Sequence, residues 1–217
     1  MGKVSIVENP MKIMLAASKQ IQAGGRELQD RAEFFRCGSN LVLVIADGAG
    51  GMSGGAEAAE FVVEGVKQRI GSVAMNRRGL EELLAFLDRE MAAKGAFGET
   101  TCVLVVLSDD GVIGASVGDS GAFIFSKNGT EKLTANQIRK PFLGSGRATP
   151  VSFTRRLLYG TLLAASDGLL KYASLETIAT TVLGAGLDEA AKKLIDLVRY
   201  QSGGLPDDVS VLLARQT

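Results

Sequence analysis

Hydrophobic and polar positions along this chain alternate between short apolar runs and helical stripes. Residues 41–46 (Leu-Val-Leu-Val-Ile-Ala) are apolar throughout, which predicts a strand buried on both faces. Further strands are predicted at 101–107, 112–117, 122–126, 157–165 and 209–214, with one or two short strands before Gln22. Ser108-Asp109-Asp110-Gly111 and Lys127-Asn128-Gly129-Thr130 read as hairpin turns. Helical periodicity takes over at 56–67, and again at 80–94, where Leu80, Leu83, Leu84, Leu87 and Met91 share one face. It returns at 175–183 and at 187–200, the last with Ala190, Ala191, Leu194, Leu197 and Val198 in line. Strand, two helices, hairpin-linked strands, two helices, strand is not the regular alternation of a doubly wound sheet. It predicts an α+β fold or layered sandwich with mostly antiparallel sheet and helices outside.

Three of the apolar runs stop on an aspartate followed by a small residue: Asp47-Gly48, Asp119-Ser120 and Asp167-Gly168. Asp207-Asp208 stands just before the last run. Asp-Gly is first a turn signal, but a hairpin turn is followed by a returning strand, whereas Asp47-Gly48 and Asp167-Gly168 are followed by helical sequence. Asp109-Asp110-Gly111 behaves as an ordinary turn. Carboxylates gathered at strand ends repel one another unless a positive charge lies between them.

Composition narrows what that charge can be. The 217 residues include no histidine and two cysteines. Histidine-based nucleophile systems and the usual zinc ligand sets are thereby excluded. A hard divalent cation held by oxygen ligands remains. Cys37 and Cys102 lack CxxC spacing, and Cys102 falls within an apolar run, so a buried thiol and a reducing cytoplasm are expected. Lys+Arg and Asp+Glu both number 24, which argues against a dominant nucleic-acid or anionic-membrane partner. No apolar stretch approaches the roughly 20 residues of a membrane span, and no targeting segment is visible. Length and composition fit one domain spanning residues 1–217.

Gly48-Ala49-Gly50-Gly51-Met52-Ser53-Gly54-Gly55 could suggest a nucleotide loop. It has no Walker lysine, its spacing misses the dinucleotide fingerprint, and Asp47 would repel a pyrophosphate. The glycines are better suited to bringing a backbone carbonyl to a metal and a helix close to the strand. Gly25-Arg26-Glu27-Leu28-Gln29-Asp30 is by itself a solvated charged turn, though its arginine offers a planar fork for phosphate.

In order along the chain, these stretches resemble the metal-dependent type 2C (PPM) serine/threonine protein phosphatases. The matching segments are Gly25–Asp30, the Asp47-Gly48-Ala49-Gly50-Gly51 signature and Gly98-Glu99-Thr100-Thr101, followed by Val117-Gly118-Asp119-Ser120, Ala165-Ser166-Asp167-Gly168 and Pro206-Asp207-Asp208-Val209-Ser210-Val211. The resemblance implies a central β-sandwich flanked by helix pairs, in four layers α-β-β-α, and a two-metal site for Mn²⁺ or Mg²⁺. It places Asp47 between both metals, the Gly48 carbonyl on one, Asp167 and Asp207 on the other, and Asp30 behind a bound water. Asp119 falls at a third-metal position and Arg26 at the substrate phosphate. The implied reaction is hydrolysis of phosphoserine or phosphothreonine by in-line attack of a metal-bridging hydroxide, on a phosphoprotein whose phosphate an opposing kinase installs, by a monomeric enzyme.

Three departures mark this chain. Ala49 stands where animal relatives carry a histidine, and Gly121 replaces a common arginine. Thr134-Ala135-Asn136-Gln137 is followed almost at once by Leu143-Gly144, so the family's flap is missing, as in forms similar to the stage II sporulation E phosphatases. These departures motivate an alternative, a catalytically weak or dead domain serving as a binding or regulatory module. The segment 139–152, standing in place of the flap, is the expected specificity surface.

Overall fold

The computed structural model describes residues 14–49, 54–95, 97–156 and 158–216. Any strand before residue 14, and Gly50 to Ser53 of the glycine-rich stretch, lie outside the described residues. Among the described residues, ten strands form two antiparallel five-stranded sheets. One contains β2 (Arg31–Cys37), β3 (Asn40–Ala46), β4 (Cys102–Ser108), β5 (Gly111–Val117) and β8 (Val151–Arg156), in the order β2-β3-β4-β5-β8. The other contains β1 (Leu15–Gln22), β6 (Gly121–Ser126), β7 (Gly129–Lys132), β9 (Thr161–Ala165) and β10 (Val209–Gln216), in the order β1-β10-β9-β6-β7.

The central strands are apolar on both faces because both faces are covered. Leu43 and Ile45 of β3 point into the sandwich, where they join Val103, Val105, Leu162, Ala164, Leu212 and Ala214. Val42 and Val44 point the other way, onto α1 (Gly55–Arg69) and α2 (Arg77–Lys94), through Ala59, Val62, Leu84 and Leu87. On the second sheet, Phe123, Phe125, Leu163, Val211 and Leu213 meet Ile178 and Val182 of α4 (Leu175–Leu183) and Leu194 of α5 (Leu187–Asp196). The short α3 (Asp167–Leu170) begins at the end of β9. The result is the expected α-β-β-α layering.

Several boundaries differ from the sequence reading. The run 157–165 is not one strand: β8 ends at Arg156 and β9 starts at Thr161, with a turn at Gly160, whose φ is +124°. Leu157 lies outside the described residues. The helix expected over 187–200 stops at Asp196, and hydrogen-bonded turns carry the chain onward from there. Strands β2, β7 and β8, each at the edge of its sheet, were not predicted.

The segment between β7 and β8 is held from below by a buried carboxylate. Asp88 on α2 accepts hydrogen bonds from the backbone N–H groups of Gly144 (2.8 Å), Gly146 (2.9 Å) and Ala148 (3.0 Å). Leu143 is fully buried, and its backbone pairs with Thr100 in both directions. A helix thus fixes the stretch 143–148.

Candidate metal centre

Strand register brings the aspartates together. In the β2–β3 pair Arg31 lies opposite Ala46, so Asp30 and Asp47 leave the same end of that ladder. In the β4–β5 pair Cys102 lies opposite Val117, which sets Thr101 beside Gly118 and Asp119. In the second sheet Ala165 pairs with both Val211 and Gly121, so Asp167 and Asp207 emerge at that edge. All five carboxylates therefore belong to one end of the sandwich.

Backbone and hydroxyl contacts hold Asp47 in place. Its N–H donates to Thr101 Oγ1 (3.1 Å), and its carbonyl accepts from Thr101 N–H (2.9 Å) and Thr100 Oγ1 (2.9 Å). Thr101 Oγ1 is also 2.8 Å from Ser120 Oγ, which ties the Asp47 turn to the Asp119 turn. Gly48 leaves no room for a side chain: a Cβ there would lie 2.5 Å from the carbonyl carbon of Gly55, at the start of α1. This close approach is what the glycine-rich stretch makes possible. Gly118 has φ +107°, and a Cβ on it would lie 2.6 Å from that of Thr101.

One carboxylate oxygen from each of Asp47, Asp119 and Asp167 falls in a group within 4.8 Å. The three share a cleft of about 410 Å³ with Gly48, Asp207 and Asp208. Asp207 is exposed at this cleft, and Asp30 is buried beneath it. Arg26 is exposed, with its neighbours Gly25 and Glu27 on the cleft wall. The structure thus brings Asp47, Asp119, Asp167, Asp207 and Gly48 into one cavity, places Asp30 under it, and leaves Arg26 outside the lining.

The two members of the Asp207-Asp208 pair do different work. Asp208 accepts from the N–H groups of Gly24 (2.8 Å) and Gln29 (2.6 Å), and so fixes the segment that carries Arg26 and Asp30. Asp207 keeps its carboxylate at the cleft, where its charge is felt by Asp47.

The electrostatics are those of a site built for a cation. Burial, reinforced by the charges of Asp30, Asp167, Asp119 and Asp207, pushes Asp47 up to about 9. Burial likewise raises Asp30 to about 6, against the pull of the Ser210 and Ser166 hydroxyls. Asp167 is also raised by burial, with Lys171 opposing. The Oδ2 atom of Asp30 is buried with no hydrogen-bond partner. An orphaned carboxylate oxygen beneath three converging carboxylates, all donors being oxygen, fits Mn²⁺ or Mg²⁺ and not a soft metal. Cys102 is fully buried in the helix-facing core, and burial raises its thiol pKa, which removes it from any such role.

Two cations not singled out from sequence sit against this cluster. Arg139 reaches Asp119 Oδ2 through Nε (3.0 Å) and Nη2 (2.9 Å). Lys171, one helical turn after Asp167, is paired with it. The i,i+4 spacing of Asp167 and Lys171 was the available signal for the second. Arg139 opens the segment 139–152 expected to be a specificity surface, but nothing local pointed to its pairing with Asp119, 20 positions away.

The chain is similar to known proteins in fold and in sequence. The fold matches the catalytic domain of the serine/threonine phosphatase PstP in complex with two manganese ions, with TM-score 0.81 and 20% identity, covering 94% of this chain and 99% of that one. It also matches a bacterial serine phosphatase (TM-score 0.80, 23% identity, 93% and 97% covered). Serine/threonine phosphatase Stp1 from Staphylococcus aureus matches with TM-score 0.78 and 23% identity, over 93% and 94%. In sequence, the chain is 35% identical over 88 residues to "Probable protein phosphatase 2C 14" of Arabidopsis thaliana. That match takes in 37% of this chain and 20% of the plant protein, so the chain spans about a fifth of that relative's length. The protein phosphatase 2C family model matches residues 19–140, more than half of the chain. With its acidic end assembled as described, the chain belongs to the protein phosphatase 2C family.

Proposed function

We propose that this protein is a metal-dependent phosphatase acting on phosphoserine or phosphothreonine in proteins, opposing a kinase that installs those groups. The observation that carries the reading is the convergence of Asp47, Asp119 and Asp167 to within 4.8 Å above the unpartnered Asp30 oxygen. Asp47, the Gly48 carbonyl, Asp167 and Asp207 would hold a pair of divalent cations, with Asp30 acting through water and Asp119 available to a further one. Such a pair supplies a water activated for attack and neutralises charge on the phosphoryl oxygens.

The chain's own residues do the rest. Thr100, Thr101 and Ser120 lock the Asp47 backbone, so its carboxylate is preorganised where charge develops. Arg26 grips the phosphate from the Gly25 side of the cleft. Arg139 and Lys171 line the same cleft and would be free to turn toward substrate oxygens when cations take up Asp119 and Asp167. No side chain here repeats the histidine acid of animal relatives, so the leaving alkoxide takes its proton from water in the cleft.

The test is hydrolysis of a chromogenic phosphomonoester with Mn²⁺, with Mg²⁺ and after chelation. Release that depends on metal and disappears with chelator is expected. Silence with metal demonstrably bound would replace the enzyme with a binding module.

A further inference from the structure

We infer that a second cavity, adjoining the cleft, is a docking groove for acidic residues flanking the phosphorylated residue of a protein substrate. This deepens the phosphatase reading and rests on it for the position of the phosphate. The groove is about 490 Å³ and shares Asp119, Arg139, Asp167 and Lys171 with the cleft, so a peptide presenting its phosphate to the acidic cluster has a continuous path into it. Its outer wall is Lys132, on edge strand β7. Lys140 lies on the cleft side of the same rim.

Charge decides what the groove accepts. Lys132 and Lys140 are exposed, and among the described residues neither enters an ion pair: their ammonium groups lie 5.8 Å from the Phe123 ring and 5.3 Å from the Phe142 ring. Glu131, next to Lys132, is paired instead with Arg155 (2.9 Å), so it leaves Lys132 uncompensated. Among the described residues, the carboxylates on the groove wall are Asp119 and Asp167, the two that the metal reading assigns to cations. Once they are so engaged, Arg139 and Lys171 add to Lys132 on the groove wall, with Lys140 on the adjoining cleft, on a chain of zero net charge. Field lines focused in such a cleft select an acidic segment over a basic one.

The experiment measures binding and not turnover. Fluorescent peptides carrying a non-hydrolysable phosphonate analogue of phosphoserine, flanked by aspartates or by lysines, are titrated with the Mn²⁺-loaded full chain by anisotropy. The acidic-flank peptide should bind about tenfold more tightly at low salt, a gap that narrows as ionic strength rises. Lys132→Glu with Lys140→Glu should bring the ratio to unity or invert it, and the milder Lys132→Ala should reduce it about threefold. A folding defect weakens both peptides alike and leaves the ratio where it was. Equal affinities in the native protein, or a ratio that survives in both the double and the alanine variant, would overturn the groove. Because the readout needs no hydrolysis, its failure is distinct from silence in the phosphomonoester assay.

Discussion

Replacing Asp47 by Asn should stabilise the metal-free protein while abolishing most of its response to metal. In the native fold Asp47 titrates at about 9, against an ordinary value of 3.8. Between those values the folded chain holds a proton that the unfolded chain releases, so stability falls as pH rises, by about 1.4 kcal/mol per unit. Below the lower value both states are protonated and the cost vanishes; above the upper one both are ionised and it levels off. At pH 7 the deficit is about 4 kcal/mol, and at pH 5 about 1.5 kcal/mol. Asparagine has the same shape and never ionises, so the variant should exceed the native protein by those margins in chelator. Mn²⁺ at a thousandfold excess over Kd stabilises the native chain by about 4 kcal/mol, which should cancel the margin at pH 7 and reverse the order at pH 5, since the variant lacks the Asp47 carboxylate. Urea unfolding followed by circular dichroism, with chelator and with Mn²⁺ at several pH values, reads both effects. An Asn variant less stable than the native protein without metal, or a gain that stays flat between pH 5 and 8, would refute the reasoning.

Two further carboxylates can be tested through the backbone they hold. Asp88→Ala removes the acceptor for Gly144, Gly146 and Ala148, which should lower the unfolding free energy by about 3 kcal/mol and speed hydrogen exchange at those three amides. Unaltered exchange would mean that the loop is held by something else. Asp208→Ala frees the Gly24 and Gln29 N–H groups, with a stability loss of about 2 kcal/mol. Because Asp30 rides on that segment, Mn²⁺ affinity measured calorimetrically should fall as well; an unchanged affinity would detach Asp30 from the site.

The central strands and the helices were legible because burial on both faces demands apolar residues at nearly every position, as in Leu41 to Ala46 and, Ser210 apart, Val209 to Ala214. Edge strands escape that demand. In β2 the sequence Arg31-Ala32-Glu33-Phe34-Phe35-Arg36-Cys37 carries three charges, β7 is exposed throughout, and β8 ends in Thr154-Arg155-Arg156 at the surface. With one side unpaired and open to water, such strands keep a polar sequence that periodicity cannot separate from loop.

The same division runs through the candidate metal centre. That aspartates close several apolar runs is written in the linear order of residues, and hard-cation chemistry follows from having oxygen donors and no histidine. Register alone decides that Asp30 lies under Asp47 and that Asp119 joins Asp167, because each strand's end is set by the partner it pairs with. Only the fold separates Asp207, left at the cleft, from Asp208, spent on the N–H groups of Gly24 and Gln29. Arg139 shows the limit most clearly. A local pattern reaches a few residues, whereas the separation of 20 positions between it and Asp119 is closed by β6, β7 and the turns that follow.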